Sequence, residues 1–284
     1  MKIQAQWLDW ASAQLAPVAT NHCRREAQIL LAHCLGVNRA FLVAHLEDIL
    51  EESAQSIFTA WVERRSQGEP LAYVLGTQEF WSMTLAVSPA VLIPRPETEL
   101  LVEHALQVLE PARSYQAADL GTGCGAIACA LAKERPQLQL VAVDHSAAAL
   151  DVARYNVHAL RLSKQIQLQR ADWCSGLAPK AFDLLVGNPP YVAIADPDLH
   201  PEVCQFEPSE ALFAGSDGLS ALKIIIAAAP THLKSLGWLM LEHGYQQSAQ
   251  VAELLNAHQF TDVQCIKDSN GHRRLTRAMW TGRQ

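Results

Sequence analysis

Residues 116–144 read QAADLGTGCGAIACALAKERPQLQLVAVD, and this stretch decides the fold. Gln116 to Leu120 is a short apolar-rich strand. Asp119-Leu120-Gly121-Thr122-Gly123-Cys124-Gly125 turns out of it on closely spaced glycines. Gly125 to Glu134 carries apolar residues at helical spacing, and Arg135-Pro136 closes that helix. Leu138 to Val143 is a second strand, ending at Asp144. A strand, a helix and a strand within about thirty residues form the βαβ unit of a parallel sheet.

The alternation continues downstream. Ser146 is placed to cap a helix running to about Leu160. Ile166 to Arg170 reads as a strand that ends at Asp172, and Phe182 to Val186 as one that ends at Asn188. Helices over Leu219 to Leu233 and Gln246 to Ala257 flank a strand from Gly237 to Glu242. Val263 to Lys267 and Arg274 to Trp280 are strands joined by Asn270-Gly271, a strong hairpin signal. The class is α/β: a mostly parallel sheet covered by helices on both faces, with an antiparallel C-terminal hairpin at one side.

Upstream the texture differs. Residues 1–75 have almost no glycine, and their apolar residues recur at helical spacing. The stripes are Leu8, Ala11, Leu15; Ala27, Leu30, Leu31, Cys34, Leu35; Phe41, Leu42, His45, Leu46; and Ile57, Phe58, Trp61, Val62. Gly36 stops the second, Ser53 starts the last, and Gly68 and Pro70 end it. The spacing predicts a small helical bundle, either a stabilising appendage or a docking module. Residues 76–110 form a linker with a β-hairpin and a helix. Phe80 to Val87 is strand-like, Pro89, Pro94 and Pro96 punctuate a loop, and Glu99 to Leu109 is helical. Residues 111–284 make up the α/β domain.

Composition bounds the function. The 284 residues are 50% hydrophobic and 18% charged, which is globular, and the net charge is −7. An acidic total argues against a dedicated nucleic-acid binder, whose affinity comes from neutralising phosphates. Seven cysteines, at 23, 34, 124, 129, 174, 204 and 265, are odd in number and form no C-x-x-C. That pattern predicts a reducing cytoplasm and no structural metal. Lys2 followed by Gln, Trp and Asp is no secretory leader, and the uncharged run Leu120 to Ala132 is too short to span a bilayer.

Ligands of open parallel sheets bind at the carboxyl ends of the strands, which nominates Asp119, Asp144, Asp172, Asn188 and Glu242. The Gly121–Gly125 loop lets a ligand approach bare backbone at a helix N-terminus. Asp144 is placed to accept from both hydroxyls of a ribose. The loop reads G-x-G-x-G, not the dinucleotide G-x-G-x-x-G, and Asp119 would repel a pyrophosphate while attracting an amino group. S-adenosylmethionine, with a ribose, an adenine and a charged amino-acid tail, therefore fits better than NAD. Asp172 could accept from the adenine amine, and Trp173 could flank the base or simply pack in the core.

Asn188-Pro189-Pro190-Tyr191 is the most informative tetrapeptide. Its prolines remove two donors and fix two φ angles, leaving a rigid corner that presents acceptors. The Asn188 side-chain oxygen and the Pro189 carbonyl suit an NH₂ on a planar π-system, with Tyr191 offering a flat face. Adenine, cytosine and glutamine all satisfy that description.

With these residues in hand, the chain resembles the bacterial release factor glutamine methyltransferases, the PrmC/HemK family of Rossmann-like class I S-adenosylmethionine-dependent enzymes. The resemblance rests on Asn188 to Tyr191, on Gly121 to Ala128, and on Val91-Leu92-Ile93-Pro94-Arg95-Pro96-Glu97-Thr98-Glu99. Gly68 to Tyr73, Glu79-Phe80-Trp81 and Glu242-His243-Gly244 extend it over nearly the whole chain. It implies methylation of the glutamine of Gly-Gly-Gln in class-1 peptide chain release factors. It also implies that Asn188 and Pro189 bind the glutamine amide, Tyr191 and Pro190 pack beside it, and Gly121, Thr122, Gly123, Cys124, Gly125, Asp144, Trp173 and Asn188 line the cofactor. Asp172 in that role rests on strand-end placement alone. Cys124 stands where the family leads one to expect Thr. The helical region 1–75 would help engage the release factor, with no direct nucleic-acid contact and no membrane. An adenine-N6 methyltransferase on DNA or RNA, and a non-catalytic cofactor-binding partner of translation, are the alternatives.

Other candidates weigh less. Glu97 and Glu99 are either a carboxylate pair or a solvated helix start, where acidic residues favour the dipole, and the resemblance offers Glu97 or Thr98 as a residue that touches the closed site. His243 reads as structural, and no histidine pair has metal spacing. Asp196, Asp198 and Glu202 form an acidic stretch, a loop over the site or solvated surface. Arg24-Arg25 and Arg64-Arg65 are too short for a nucleic-acid patch.

Overall fold

The computed structural model describes residues 2–194 and 201–282. Asp196 and Asp198, and the side chain of Glu202, lie outside the described set. The chain divides into two compact units: Met1–Thr77 with His200–Phe206, and Gln78–Leu199 with Glu207–Gln284.

The first unit contains α1 (Gln4–Leu15), α2 (Cys23–Cys34), α3 (Arg39–Ala44), α4 (Glu52–Ser66) and α5 (Leu71–Leu75). The stripes read from sequence supply its core: Leu8, Ala11, Leu15, Ala27, Leu30, Leu31, Leu42, Phe58 and Val62 are buried. Two stripes are narrower than expected. Phe41 is 49% and Ile57 47% exposed. Phe41 stacks on His45 with ring centroids 3.9 Å apart. Helix α4 starts two residues before the expected Ser53 cap, with Glu51 in the cap position. Arg65, on α4, is buried and pairs with Glu26 at 2.8 Å, so this member of the Arg64-Arg65 pair is structural.

The second unit opens with a two-stranded sheet, β1 (Thr77–Phe80) and β2 (Met83–Ala86). The strand-like run is broken because Trp81 and Ser82 both take positive φ, 51° and 52°. Glu99 accepts from the Trp81 backbone N–H at 2.7 Å and Glu134 from its indole N–H at 3.0 Å, which holds the turn without glycine. A 3₁₀ turn at Pro96–Thr98 leads into α6 (Glu99–Val108).

The remaining elements are β3 (Tyr115–Leu120), α7 (Ala126–Glu134), β4 (Leu138–Asp144), α8 (Ala147–Ala159), β5 (Ile166–Arg170), β6 (Phe182–Gly187), α9 (Pro201–Phe206), α10 (Ser220–His232), β7 (Leu233–Glu242), α11 (Ser248–Ala257), β8 (Thr261–Lys267) and β9 (Arg273–Trp280); of these, α9 falls in the first unit. The sheet order is β5-β4-β3-β6-β7-β9-β8, parallel from β5 to β7. Both faces of β3 are covered, as its run of buried residues from Ala117 to Leu120 requires. Strand β7 begins at Leu233, where a helix end was expected. The C-terminal hairpin places its second strand inside, antiparallel to β7, and its first at the edge. Burial explains the order: β9 carries buried Leu275, Ala278 and Trp280, whereas β8 has no buried residue.

Candidate active site

Strand β3 delivers the glycine loop to the carboxyl edge of the sheet. Gly121 and Thr122 donate their N–H groups to the Val143 carbonyl at 2.9 and 2.8 Å, which stitches the loop to β4. Asp144, ending β4, accepts from Gly123 N–H through Oδ2 and from Ser146 N–H through Oδ1, both at 2.9 Å. Ser146 in turn caps α8 by accepting from Ala149 N–H. Gly121 has φ +76°, and a Cβ there would lie 3.1 Å from the Trp173 ring. Glycine at 121 thus meets both a left-handed backbone and a close aromatic neighbour.

Asp119 has a different role from the one its position suggests. It is wholly buried and does not line the cavity. Its Oδ2 accepts from Thr122 Oγ1 at 2.7 Å and from Ala128 N–H at 3.2 Å, bracing the loop from behind. Oδ1 has no partner among the described residues. Burial pushes its pKa from 3.8 up to about 7; the two hydrogen bonds oppose the rise and the charge of Asp144 adds to it.

These groups face a cavity of about 770 Å³ of empty space, its open mouth included. Gly121, Thr122, Gly123, Cys124, Asp144, Trp173, Asn188 and Pro190 all line it. Its other walls are mostly apolar and come from Ala90, Val91, Leu92, Pro94, Ala126, Ile127, Ala149, Pro208 and Ala211, with Thr98, His145 and Ser146 as polar members. Among the described residues no Lys or Arg lines it, while Asp144 and Glu210 do. Carboxylates with no Lys or Arg beside them suit a nucleoside that carries positive charge better than one that carries a pyrophosphate, so S-adenosylmethionine fits better than a dinucleotide.

Four expected residues stand outside the cavity wall. Asp172 is exposed on the turn after β5, and only its neighbour Trp173, at φ 49°, reaches the cavity. Strand-end position does not by itself put Asp172 on the cavity wall. Gly125 is the left-handed cap residue of α7. Pro189 is buried, and Tyr191 packs against the sheet core with its hydroxyl donating to Glu242 Oε1 at 3.2 Å.

The corner at 188–191 is anchored from behind. Gln247 Nε2 donates to the Tyr191 carbonyl at 3.0 Å, and Val192 pairs with Phe213 as an isolated parallel bridge. A Cβ at Gly218 would come within 2.3 Å of the Tyr191 carbonyl oxygen, so only glycine admits this approach. In front, the Asn188 side chain donates to Thr98 Oγ1 at 3.1 Å, and Thr98 Oγ1 donates to Glu242 Oε2 at 2.8 Å.

Two contributors, Glu207 and Asn156, escaped the sequence reading. Glu207 is buried; it accepts from Ile93 N–H at 3.1 Å and pairs with Arg95, tying the two segments of the apolar wall together. Asn156, buried on α8, donates to the carbonyls of Cys124 and Ala86 and accepts from Ala86 N–H, joining β2 to the glycine loop. Thr98, which the resemblance offered with Glu97 as a residue that touches the site, lines the cavity and sits between Asn188 and Glu242. A polar residue within an otherwise apolar helical stripe was the one available signal, for Asn156.

Comparison with known proteins agrees with this architecture. The PrmC N-terminal domain family matches residues 6–76 and the methyltransferase small domain family matches residues 96–203. A release factor glutamine methyltransferase of Pseudomonas aeruginosa is 47% identical over 257 residues, 90% of this chain and 92% of its own length. Those of Xylella fastidiosa and Escherichia coli are 46% and 42% identical, covering 92% and 95% of this chain and 95% and 96% of their own. Among solved structures, the hMettl16 catalytic domain in complex with an RNA hairpin superposes with a TM-score of 0.58 at 15% identity, covering 82% of this chain and 83% of its own. A methyltransferase from Pyrococcus furiosus gives 0.52 at 17% identity over 70% of this chain and 89% of its own. These two likenesses concern the fold, whereas identity of this level over nearly the full length concerns the family: the chain belongs to the release factor glutamine methyltransferases.

Proposed function

We propose that the protein transfers a methyl group from S-adenosylmethionine to the side-chain nitrogen of the glutamine in the Gly-Gly-Gln motif of a class-1 peptide chain release factor. The products are N5-methylglutamine and S-adenosylhomocysteine. The observation that carries this reading is the presence of the Asn188 carboxamide and Pro190 on the same cavity wall as Gly121, Gly123 and Asp144.

When bound, the cofactor supplies an electrophilic methyl group on a sulfonium. The glycine loop, Asp144 and Trp173 would hold it. An amide nitrogen is a weak nucleophile because its lone pair is delocalised. Asn188 Oδ1 on the cavity wall accepts one of its N–H groups and fixes its direction, a positioning effect worth up to about 7–11 kcal/mol, and the family resemblance gives the second N–H to the carbonyl of Pro189, a buried residue between two that line the wall. Both acceptors also stabilise the positive charge that grows on nitrogen. The proton can leave after transfer, so no strong base is needed. Tyr191 and Pro190 brace the corner.

The helical unit is proposed to engage the release factor. It carries the PrmC N-terminal match and exposes Phe41, Val43, Ile49 and Ile57. A cytoplasmic location accords with seven unpaired cysteines. No helix among the described residues is long and apolar enough to cross a membrane. The test is incubation with methyl-labelled S-adenosylmethionine and either release factor or nucleic acid. The expected result is a one-methyl mass gain on the Gly-Gly-Gln peptide, lost in Asn188→Ala while cofactor binding persists. Label found only in nucleic acid would reject the assignment.

A further inference from the structure

We propose that Thr98 and Glu242 are positioning residues that together fix which end of the Asn188 carboxamide faces the cavity. The inference rests on the function just proposed and deepens it. Asn188 Nδ2 donates to Thr98 Oγ1 at 3.1 Å, Thr98 Oγ1 donates to Glu242 Oε2 at 2.8 Å, and the Tyr191 hydroxyl donates to Glu242 Oε1 at 3.2 Å. The 3₁₀ turn, the corner after β6 and the end of β7 thus meet at one buried carboxylate, Glu242 being 3% and Thr98 4% exposed.

The direction of this relay follows from what each group can do. An ionised carboxylate only accepts. The Thr98 hydroxyl has one hydrogen, and Glu242 takes it. Toward Asn188, Thr98 can therefore only accept, so it takes the NH₂ end of the amide and leaves Oδ1 for the substrate. Shape cannot make this choice, because a carboxamide turned end for end is nearly isosteric. The turned amide would set its own NH₂ against the substrate NH₂, donor against donor. Burial of a carboxylate is tolerated here because both oxygens are hydrogen-bonded.

The charged surroundings come from several elements. Arg274 on β9 draws the Glu242 pKa down and Glu97 on the 3₁₀ turn raises it, while the hydrogen bonds from Thr98 and Tyr191 lower it. His243, its chain neighbour, is buried, and its pKa is lowered by that burial. Burial dominates at Glu242 and lifts it from 4.5 to about 7. A protonated Glu242 can donate back to Thr98, which reverses the relay and frees the Asn188 amide to turn. Turnover at saturating cofactor should therefore fall on the acid side of about pH 7.

The test compares wild type with Thr98→Ser, Thr98→Val and Glu242→Gln on a release factor at saturating cofactor, with cofactor affinity and melting temperature measured alongside. Thr98→Ser, which keeps the hydroxyl, should stay within about threefold of wild-type kcat, and Thr98→Val, similar in shape, should lose about 10²-fold in kcat at saturating cofactor, with a lower melting temperature because Glu242 Oε2 loses its buried partner, but with the folded state retained at the assay temperature. Glu242→Gln can serve the relay in either sense, so it should be intermediate and lose the acidic limb. The Asn188 side-chain NH₂ resonances read the relay without turnover: shifted by a hydrogen bond in wild type and Thr98→Ser, and at ordinary amide positions in Thr98→Val. Near wild-type kcat in Thr98→Val, equal losses in Ser and Val, or unchanged NH₂ resonances in Val would each overturn the proposal. Failure of wild type to methylate the factor would instead count against the assigned substrate, and the resonances would still decide the relay.

Discussion

Asp119→Asn should change the pH dependence of stability by an amount the structure sets. The buried carboxyl is raised from 3.8 to about 7, mainly by desolvation. In the native state it keeps its proton up to about pH 7, whereas in the unfolded chain it releases it near 3.8. Between those values the native state binds more protons, so its stability falls as pH rises. The penalty is absent below the unfolded value and complete above the folded one. One pH unit corresponds to about 1.4 kcal/mol, so roughly three units amount to about 4 kcal/mol at pH 8 and about 1.5 kcal/mol at pH 5. Asparagine escapes this penalty and keeps an acceptor for Thr122 and Ala128. It leaves a buried NH₂ without a partner, at a cost of about 1–3 kcal/mol at every pH. The net effect at one pH therefore depends on that constant, but its change with pH does not. Urea unfolding of both proteins from pH 5 to pH 8 should show the variant gaining about 3 kcal/mol relative to wild type. A difference that stays level with pH would refute the claim that Asp119 is a desolvated, strained carboxyl behind the loop.

Three further outcomes are expected. Gly121→Ala places a Cβ 3.1 Å from the Trp173 ring on a left-handed backbone, and should weaken cofactor binding about tenfold or more by titration calorimetry, with folding retained. Arg65→Met leaves Glu26 without its partner and should cost the helical unit about 3 kcal/mol in chemical unfolding, most of it recovered on adding Glu26→Leu. Phe41→Asp, at an exposed ring, should raise KM for full-length release factor about tenfold while leaving kcat on a short Gly-Gly-Gln peptide unchanged.

The fold was legible wherever local pattern and burial coincide. Ala117, Ala118 and Leu120 are apolar because both faces of β3 are covered, and the same physics marks Leu140 to Val143. Ser146 announces α8 because it must satisfy an N–H that the helix itself cannot. The hairpin at β1 and β2 was less legible because its turn uses Trp81 and Ser82, held by Glu99 and Glu134 from other elements. Propensity sees aromatic residues and reads a continuous strand; the partners that pay the cost of positive φ lie 18 and 53 residues away. The order of the last two strands was hidden for a related reason. A hairpin signal fixes the pairing of β8 with β9 but not which of them docks on β7; the choice depends on which face of the pair is apolar enough to be enclosed.

At the site, position along a strand predicted that a residue matters without predicting how. Asp119, Asp144, Asn188 and Glu242 each end or follow a strand at the carboxyl edge of one sheet. Parallel register brings them together, and in that sense the sequence contains the site. Yet Asp144 and Asn188 line the cavity, while Asp119 and Glu242 are buried behind it and hold hydroxyl or N–H groups of the first pair's neighbours. The two buried carboxyls carry the raised pKa values, about 7 each, because burial strips them of solvent. A perturbed carboxyl near a ligand cavity is ordinarily a candidate acid or base. Here neither can reach a substrate proton directly, and methylation of an amide needs no strong base. Their burial is better explained by direction: an acceptor without water around it can be satisfied only by the donors the fold supplies, so it dictates where those donors point. The cavity-facing groups do the binding; behind them Glu242 turns Asn188 through Thr98, and Asp119 braces the glycine loop through Thr122 and Ala128.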